Sequence, residues 1–434
     1  HFLIFVAVRA PRAAVSATVD NHKPRDKNQI LTGEALTAGQ RRTYIVLIGL
    51  LATLLPFSID LVLPAFPKIG QDFAASNSAV QFTFTGVTIG FAIGQLIAGP
   101  LADSIGRRRP MLILSGAHLV GSLLCFLAPN IEFFFWARLM QGIGGAGAAI
   151  LMGAVVRDLY TGGPMLTMMA RVSLISSLAP IIAPLIGSQI VTVLPWRTIF
   201  LFLVIFDTAV WFSAFRFLIE TLHRDDRRTS GVKAILLRFK AVLGDRIYVG
   251  LLIFSVLQIV ALFGYLNTVS FLYQGTYGLT AAQFGLVFSM NSVGLYLGTQ
   301  LSAKLGRLFS AAWVLICAGT LFGLAGVALI FAGLSHATIW VVEPLVMVFI
   351  FSFGACIPLL AALSLAQHPN EAGTAASLMG VLNFATTAAL SGFYPLLGTG
   401  SPLGMGILIA INSSLGVLAL FFVMKPKTVP PLQQ

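Results

Sequence analysis

The sequence is short of charge, cysteine and every motif of metal or nucleotide chemistry. Only 10 % of its 434 residues are Asp, Glu, Lys or Arg, against roughly 25 % in an ordinary soluble domain. There are three cysteines, Cys125, Cys317 and Cys356, each isolated in an apolar segment. None stands at metal-ligand spacing from another, so they read as small core hydrophobes, with no metal site expected. There is no His-Glu-x-x-His run and no Gly-x-x-x-x-Gly-Lys loop. The first absence argues against a zinc hydrolase, and the second removes an ATP-driven pump. Acid is scarcer than base, 15 against 27, leaving a net charge of +12.

What the chain has instead is apolar surface. Hydrophobic residues make up 57 %, more than a soluble fold of this size can hide, so the solvent for most of the protein is lipid. A membrane helix needs about 20 mainly apolar residues. Twelve candidates fit: 43–65, 79–101, 110–128, 132–155, 167–193, 198–219, 247–273, 281–303, 309–333, 338–362, 373–396 and 402–424. The bases lie between these runs rather than in a stripe with interleaved aromatics, which excludes nucleic acid as a partner.

Their distribution orients the chain. Arg41, Arg42, Arg107, Arg108, Arg109, Arg157, Arg171, Lys304, Arg307, Lys425 and Lys427 fall on the side that holds both termini. The connection between spans 6 and 7 adds Arg216, Arg224, Arg227, Arg228, Lys233, Arg238, Lys240 and Arg246, while the other side offers Lys68 and Arg197. By the positive-inside rule both ends are cytoplasmic. The expected division is a disordered tail over 1–42, a six-helix bundle over 43–219, a linker with a short surface helix over 220–246, a second bundle over 247–424 and a tail over 425–434. The run Phe2 to Val8 is too short to span, and the first Met is Met111. The segment ahead of about Val19 is therefore expected to be a start-site artefact.

Two loops repeat. The one after span 2 reads Gly99-Pro-Leu101-Ala-Asp103-Ser-Ile-Gly106-Arg107-Arg108-Arg109, and the one after span 8 reads Leu301-Ser-Ala303-Lys304-Leu-Gly306-Arg307. Matching turns in two six-span halves imply parallel repeats that bind substrate between them near mid-membrane. The reading is an all-α integral membrane protein of twelve helices in two pseudo-symmetric bundles. The first loop resembles a signature of the major facilitator superfamily. In it Gly99 and Gly106 let the helix end and turn, Asp103 pairs with an Arg or with a helix start, and Gly99, Asp103, Gly106 and Arg107 form a cytoplasmic gate. Ala303 replaces the acid in the second copy, so the gate is expected to be asymmetric.

Span 4 carries Arg138-Leu-Met-Gln141-Gly142-Ile-Gly144-Gly145, similar to a second signature of that superfamily. A guanidinium inside a span persists only against a polar interior or a partner. Gly142 to Gly147 also fits Gly-x-Gly-x-x-Gly, but without a preceding strand this is helix packing, not a dinucleotide site. Span 5 carries Ala179-Pro180-Ile-Ile-Ala183-Pro184-Leu-Ile-Gly187-Ser188, which resembles the antiporter signature of drug exporters. Pro180, Pro184 and Gly187 make it a hinge, since prolines free carbonyls and small residues permit close approach.

Span 1 carries Asp60-Leu-Val-Leu-Pro64-Ala-Phe-Pro67, and an intramembrane carboxyl is the residue type that carries protons in transporters. At about 1.5 Å per residue, Asp60 and Arg138 both sit roughly 9 Å deep. An Asp60–Arg138 pair broken by substrate or proton is therefore the expected coupling device, set against a static buried ion pair. Asp207 in span 6 and Glu343 in span 10 are further cavity or proton-site candidates. Gln141, Tyr265, Asn267, Asn291 and Asn383, with Gln258, Tyr273 and Phe384, are candidate cleft-lining groups, and His118 reads as a satisfied interior histidine.

Asp60 to Pro67, Gly99 to Arg109, Arg138 to Gly145, Arg157-Asp158-Leu-Tyr160, Ala179 to Gly187 and Glu220-Thr221-Leu222 together resemble the bicyclomycin and chloramphenicol resistance (Bcr/CflA) branch of the drug–proton antiporters. The resemblance covers spans 1–6, and the second half follows by length, topology and its partial repeat. It implies a monomer in the bacterial inner membrane that exports small amphipathic drugs from the cytoplasm against inward proton flow, with no cofactor. An exporter of a metabolite or self-made antibiotic would share the mechanism and differ in cargo. A membrane-embedded enzyme or a channel is the rival from another class, and a channel has no need of two equivalent halves joined by a basic linker.

Overall fold

The computed structural model describes residues 36–160, 162–223, 227, 239–240, 242–366, 372–394 and 400–430. Twelve long helices follow in order: α1 (Ala38–Asp60), α2 (Asn77–Ile105), α3 (Arg108–Leu127), α4 (Ile131–Leu159), α5 (Gly162–Val193), α6 (Arg197–Phe217), α7 (Arg246–Ser270), α8 (Ala281–Leu308), α9 (Ala311–Leu334), α10 (Ile339–Ala366), α11 (Ala372–Ser391) and α12 (Pro402–Ala419). Eleven are long and apolar enough to cross a membrane. The exception is α8, whose 28 residues include Gln283, Asn291, Thr299, Gln300, Lys304 and Arg307. Gln283 completes its N-terminal capping box and Thr299 bonds the Gly354 carbonyl of α10.

The helices pair in a pattern that repeats six positions along the chain. In the first half α2 packs on α4, α3 on α4 and α6, and α1 on α5. In the second α8 packs on α10, α9 on α10 and α12, and α7 on α11. The halves meet where α5 packs on α8 and α2 on α11. Large apolar side chains such as Trp136, Phe212, Phe331 and Trp340 stay exposed on the outside of the bundle, where lipid is their solvent.

Several boundaries differ from the sequence reading, each for a local reason. Helix α1 begins five residues earlier because Thr37 and Gln40 form a capping box, which satisfies the first amides through a polar opening turn. It also breaks inside the expected span. Pro64 has no N–H to give the carbonyl of Asp60, and it disfavours helix at Leu63. The chain therefore leaves α1 at Asp60, makes one 3-10 turn over Leu63–Ala65 and resumes as a short helix, Phe66–Asp72. The repeated loops are not structural copies. Gly106 turns with φ 97°, while Gly306 stays within α8. Cys317 is exposed, unlike Cys125 and Cys356. Most of the N-terminal tail and the expected surface helix of the linker lie outside the described residues.

Candidate functional site between and within the halves

The break after Asp60 creates the first part of the site. Pro67 cannot supply the N–H that the Leu63 carbonyl would accept in a continuous helix. Ser270 Oγ on α7 donates to that carbonyl at 2.6 Å, and Gln274 Nε2 donates to the Pro64 carbonyl at 3.2 Å. Both bonds cross between halves. Asp60 itself is buried, at 6 % exposure, and lies within electrostatic reach of Tyr265 on α7.

Helix α5 shows the same use of proline. Pro184 lacks the N–H that would satisfy the Pro180 carbonyl, and Ser292 Oγ on α8 donates to it instead at 2.8 Å. Ser289 Oγ donates to the neighbouring Ile181 carbonyl, also at 2.8 Å. One turn beyond Pro184, a Cβ on Gly187 would collide with the Leu61 backbone carbonyl. Pro180, Pro184 and Gly187 thus seat α5 against both the α1 break and α8. Gly187→Val is expected to push α5 off the break at about 1–3 kcal/mol, the usual cost of overpacking. A lowered midpoint in thermal unfolding of the purified protein checks this, and an unchanged midpoint would show that the contact is slack.

The hydrogen bond from Gln81 Nε2 to the Asn267 carbonyl, 2.9 Å, joins α2 to α7. Ring pairs Phe66–Phe271, Phe84–Phe263 and Phe91–Phe384 continue the seam at 5.9, 5.7 and 4.2 Å between centroids. These contacts run from the middle of the helices to the end where α1 breaks.

Arg138 is fully buried. Its Nη1 donates to the Ser58 carbonyl at 3.2 Å and to Gln141 Oε1 at 2.6 Å, and the guanidinium lies over the Phe200 ring. The matched depth holds, since Ser58 is two residues before Asp60, but the expected Asp60–Arg138 ion pair is not formed. The guanidinium turns instead to an amide and a carbonyl. Asp207 does not line the cleft. It is buried inside the first half, where Ser122 Oγ donates to Oδ2 at 2.6 Å and His118 Nε2 lies 3.7 Å away. Gln141 is likewise enclosed, with Nε2 donating to Ser122 Oγ at 2.8 Å. His118 and Ser122 were not among the expected site residues. The signal was their spacing of four on α3, which puts both on one helix face.

In the second half Glu343 accepts a hydrogen bond from Tyr273 OH, and Asn291 lies beside Glu343 and Tyr265. Tyr265 stacks on Phe288 and meets Phe349 edge-on. Glu343 and Asp60 therefore approach the same tyrosine from opposite halves. Asn267 is spent locally, its Nδ2 donating to the Phe263 carbonyl at 3.1 Å. Asn383 pairs with Ser255. The side-chain amide of Gln258 is buried without a hydrogen-bond partner.

The loop after α2 forms a network within the first half. Arg107 Nη1 bonds Asp103 at 2.6 Å and Nε bonds Asp158 at 3.0 Å. Partial burial works against the Arg107 charge, but these two carboxylates outweigh it and hold its pKa above the ordinary value. The first amides of α3 are capped by Glu220, which accepts from Arg107 N at 2.6 Å and Arg108 N at 3.3 Å. Asp103 takes the arginine, and Glu220 takes the helix start. Asp158 and Glu220 are thus network members that the sequence reading had quoted without a role. Gly106 is required here, because a Cβ would strike the Glu220 carboxylate. Gly99 is not a turn residue: it lies inside α2 with open space around it.

The model of the Major Facilitator Superfamily matches residues 48–392. The chain belongs to the major facilitator superfamily. It is a multi-span transporter rather than an enzyme. A transporter of this superfamily from Bacillus subtilis, YdgK, is 29 % identical over 90 % of this chain and 98 % of its own length. The bicyclomycin resistance protein homolog of Haemophilus influenzae is 30 % identical over 87 % and 95 %. The fold matches that of a D-xylose–proton symporter, with a TM-score of 0.75 at 14 % identity over 90 % of this chain and 98 % of that one.

Proposed function

We propose that this transporter is a drug–proton antiporter of the bacterial inner membrane, exporting small amphipathic molecules of the bicyclomycin or chloramphenicol kind by alternating access. The observation that carries the reading is the setting of Asp60: a buried carboxyl at a helix break where the halves meet, with no ion pair to Arg138. A carboxyl without a fixed counter-ion is free to exchange a proton when the cleft changes face. The excess of arginine and lysine on the face holding the termini supports a cytoplasmic setting for it. The seam from mid-membrane outward then closes the periplasmic side, and the Arg107 network leaves the cytoplasmic ends of the halves free to part. The protein works as a monomer in the bilayer, with the proton gradient as its driving force and no cofactor.

Expression in a pump-deficient host should raise tolerance to one or more members of a panel that includes bicyclomycin and chloramphenicol. The cells should lose that drug rapidly until an uncoupler collapses the gradient, after which it accumulates. Efflux indifferent to the uncoupler would reject proton coupling.

A further inference from the structure

Gln258 is an anomaly of the second half. A buried side-chain amide costs free energy unless its donors and acceptor are satisfied. Gln258 is 1 % exposed, yet neither its oxygen nor its nitrogen has a hydrogen-bond partner. It lies on α7 one turn beyond Ser255, on the same face. Ser255 exchanges hydrogen bonds with Asn383 of α11 at 3.0 and 3.1 Å. One turn before Asn383, Gly380 meets the first half: a Cβ there would lie 3.1 Å from Gln95 Oε1 on α2. Gln95 is half-buried and makes no hydrogen bond among the described residues. Gln95, Asn383 and Gln258 thus form a row of side-chain amides on three helices where the halves join.

The row rests on aromatic rings. Phe384 packs on Phe91 at 4.2 Å and on Phe263 at 5.5 Å between centroids. Gln95 lies one turn after Phe91, Gln258 little more than a turn before Phe263, and Asn383 directly before Phe384. Because α2 ends, and α7 and α11 begin, where α1 starts, all three amides lie on that side of the rings. No Asp, Glu, Lys or Arg occurs in 91–98, 255–262 or 376–387. The acids Asp60 and Glu343 gather instead around Tyr265, two turns further along α7 and about 10 Å away.

Resting on the export reading above, we propose that Gln258, Gln95 and Asn383 form the recognition subsite of the cleft, selecting neutral substrates that carry an amide or a carbonyl beside a hydroxyl. A carboxamide presents a donor and an acceptor side by side. Its two-point partner is a group that does the same. An amide or a lactam qualifies, whereas an ammonium only donates and would find no counter-charge in the row. Separation of α2 from α11 uncovers the amides, and the rings beneath receive the apolar part of the ligand. The unpaired Gln258 amide lowers the stability of the drug-free protein and is relieved by the right ligand. An analogue without the polar pair leaves it unsatisfied, which is how such a site discriminates.

Binding to the purified full chain, with no proton gradient, tests this. The probes are labelled chloramphenicol and bicyclomycin, two neutral amides, and tetraphenylphosphonium, a cation with no donor or acceptor. Gln258→Met keeps the length and shape of the side chain and removes its polar atoms. It should weaken whichever amide drug binds by about tenfold or more, and leave any tetraphenylphosphonium binding unaffected. It should also raise the unfolding midpoint of the drug-free protein. Gln95→Met should weaken the same drug by a smaller factor with little change in midpoint, because Gln95 is not fully buried. Failure of both amide drugs to bind, an unchanged affinity in Gln258→Met, an equal loss for the cation, or a lowered drug-free midpoint would overturn the subsite. The export reading fails separately. Uncoupler-sensitive efflux of the cation alone rejects the subsite and keeps antiport, whereas Gln258-dependent binding with efflux indifferent to the uncoupler rejects antiport and keeps the subsite.

Discussion

Asp60→Asn is expected to abolish gradient-driven export while leaving the transporter folded and inserted. The substitution keeps size and polarity at a buried position that holds no ion pair, so the packing around the α1 break survives. The amide cannot cycle a proton. In inverted vesicles the imposed gradient should produce no drug accumulation, whereas exchange of labelled for unlabelled drug at equal pH should continue, because binding and reorientation do not need the proton. Full gradient-driven uptake by this variant would remove Asp60 as the essential carrier.

Arg138→Ala should be the more damaging change. It deprives the Ser58 carbonyl and the Gln141 amide of their donor and leaves Asp207 without its distant counter-charge. Removing one partner of a buried charged network costs about 3–5 kcal/mol. Lower yield and a lower unfolding midpoint should accompany the loss of export. Arg138→Lys separates charge from geometry: an ammonium on a flexible stem does not reproduce the planar fork that joins α1 to Gln141. The lysine variant should insert normally but export slowly, with a displaced pH dependence. Export at the original rate and pH profile would make Arg138 a static structural charge.

The parts of this transporter that a linear sequence reveals are those set by local chemistry. Twelve apolar runs and the basic bias of their loops gave the helix count, because lipid admits few alternatives to the spanning helix. Asp60 and Arg138 stood out for the same reason, as charges where charge is costly. What the sequence could not give was the partner of each. Arg138 was expected on Asp60 by depth, and only the packing of α3 between α4 and α6 reveals that Gln141 and Ser122 lead it to Asp207. The prolines announced freed carbonyls, but the serines that claim them, Ser270 and Ser292, lie about a hundred or more residues away in ordinary helical positions. Glu220 illustrates the same gap: it caps α3 from more than a hundred residues on.

Paired spin labels report directly whether the halves close one face as they open the other. One pair, at Gln71 and Gly275, flanks the seam on the face opposite the termini; the other, at Thr167 and Ser310, flanks the cleft on the terminal face. Conditions that lengthen the first distance are expected to shorten the second, and Asp60→Asn, mimicking the protonated carboxyl, is expected to bias this balance even without a pH change. Distances that rise and fall together, or that stay fixed at every pH and in both proteins, would contradict it.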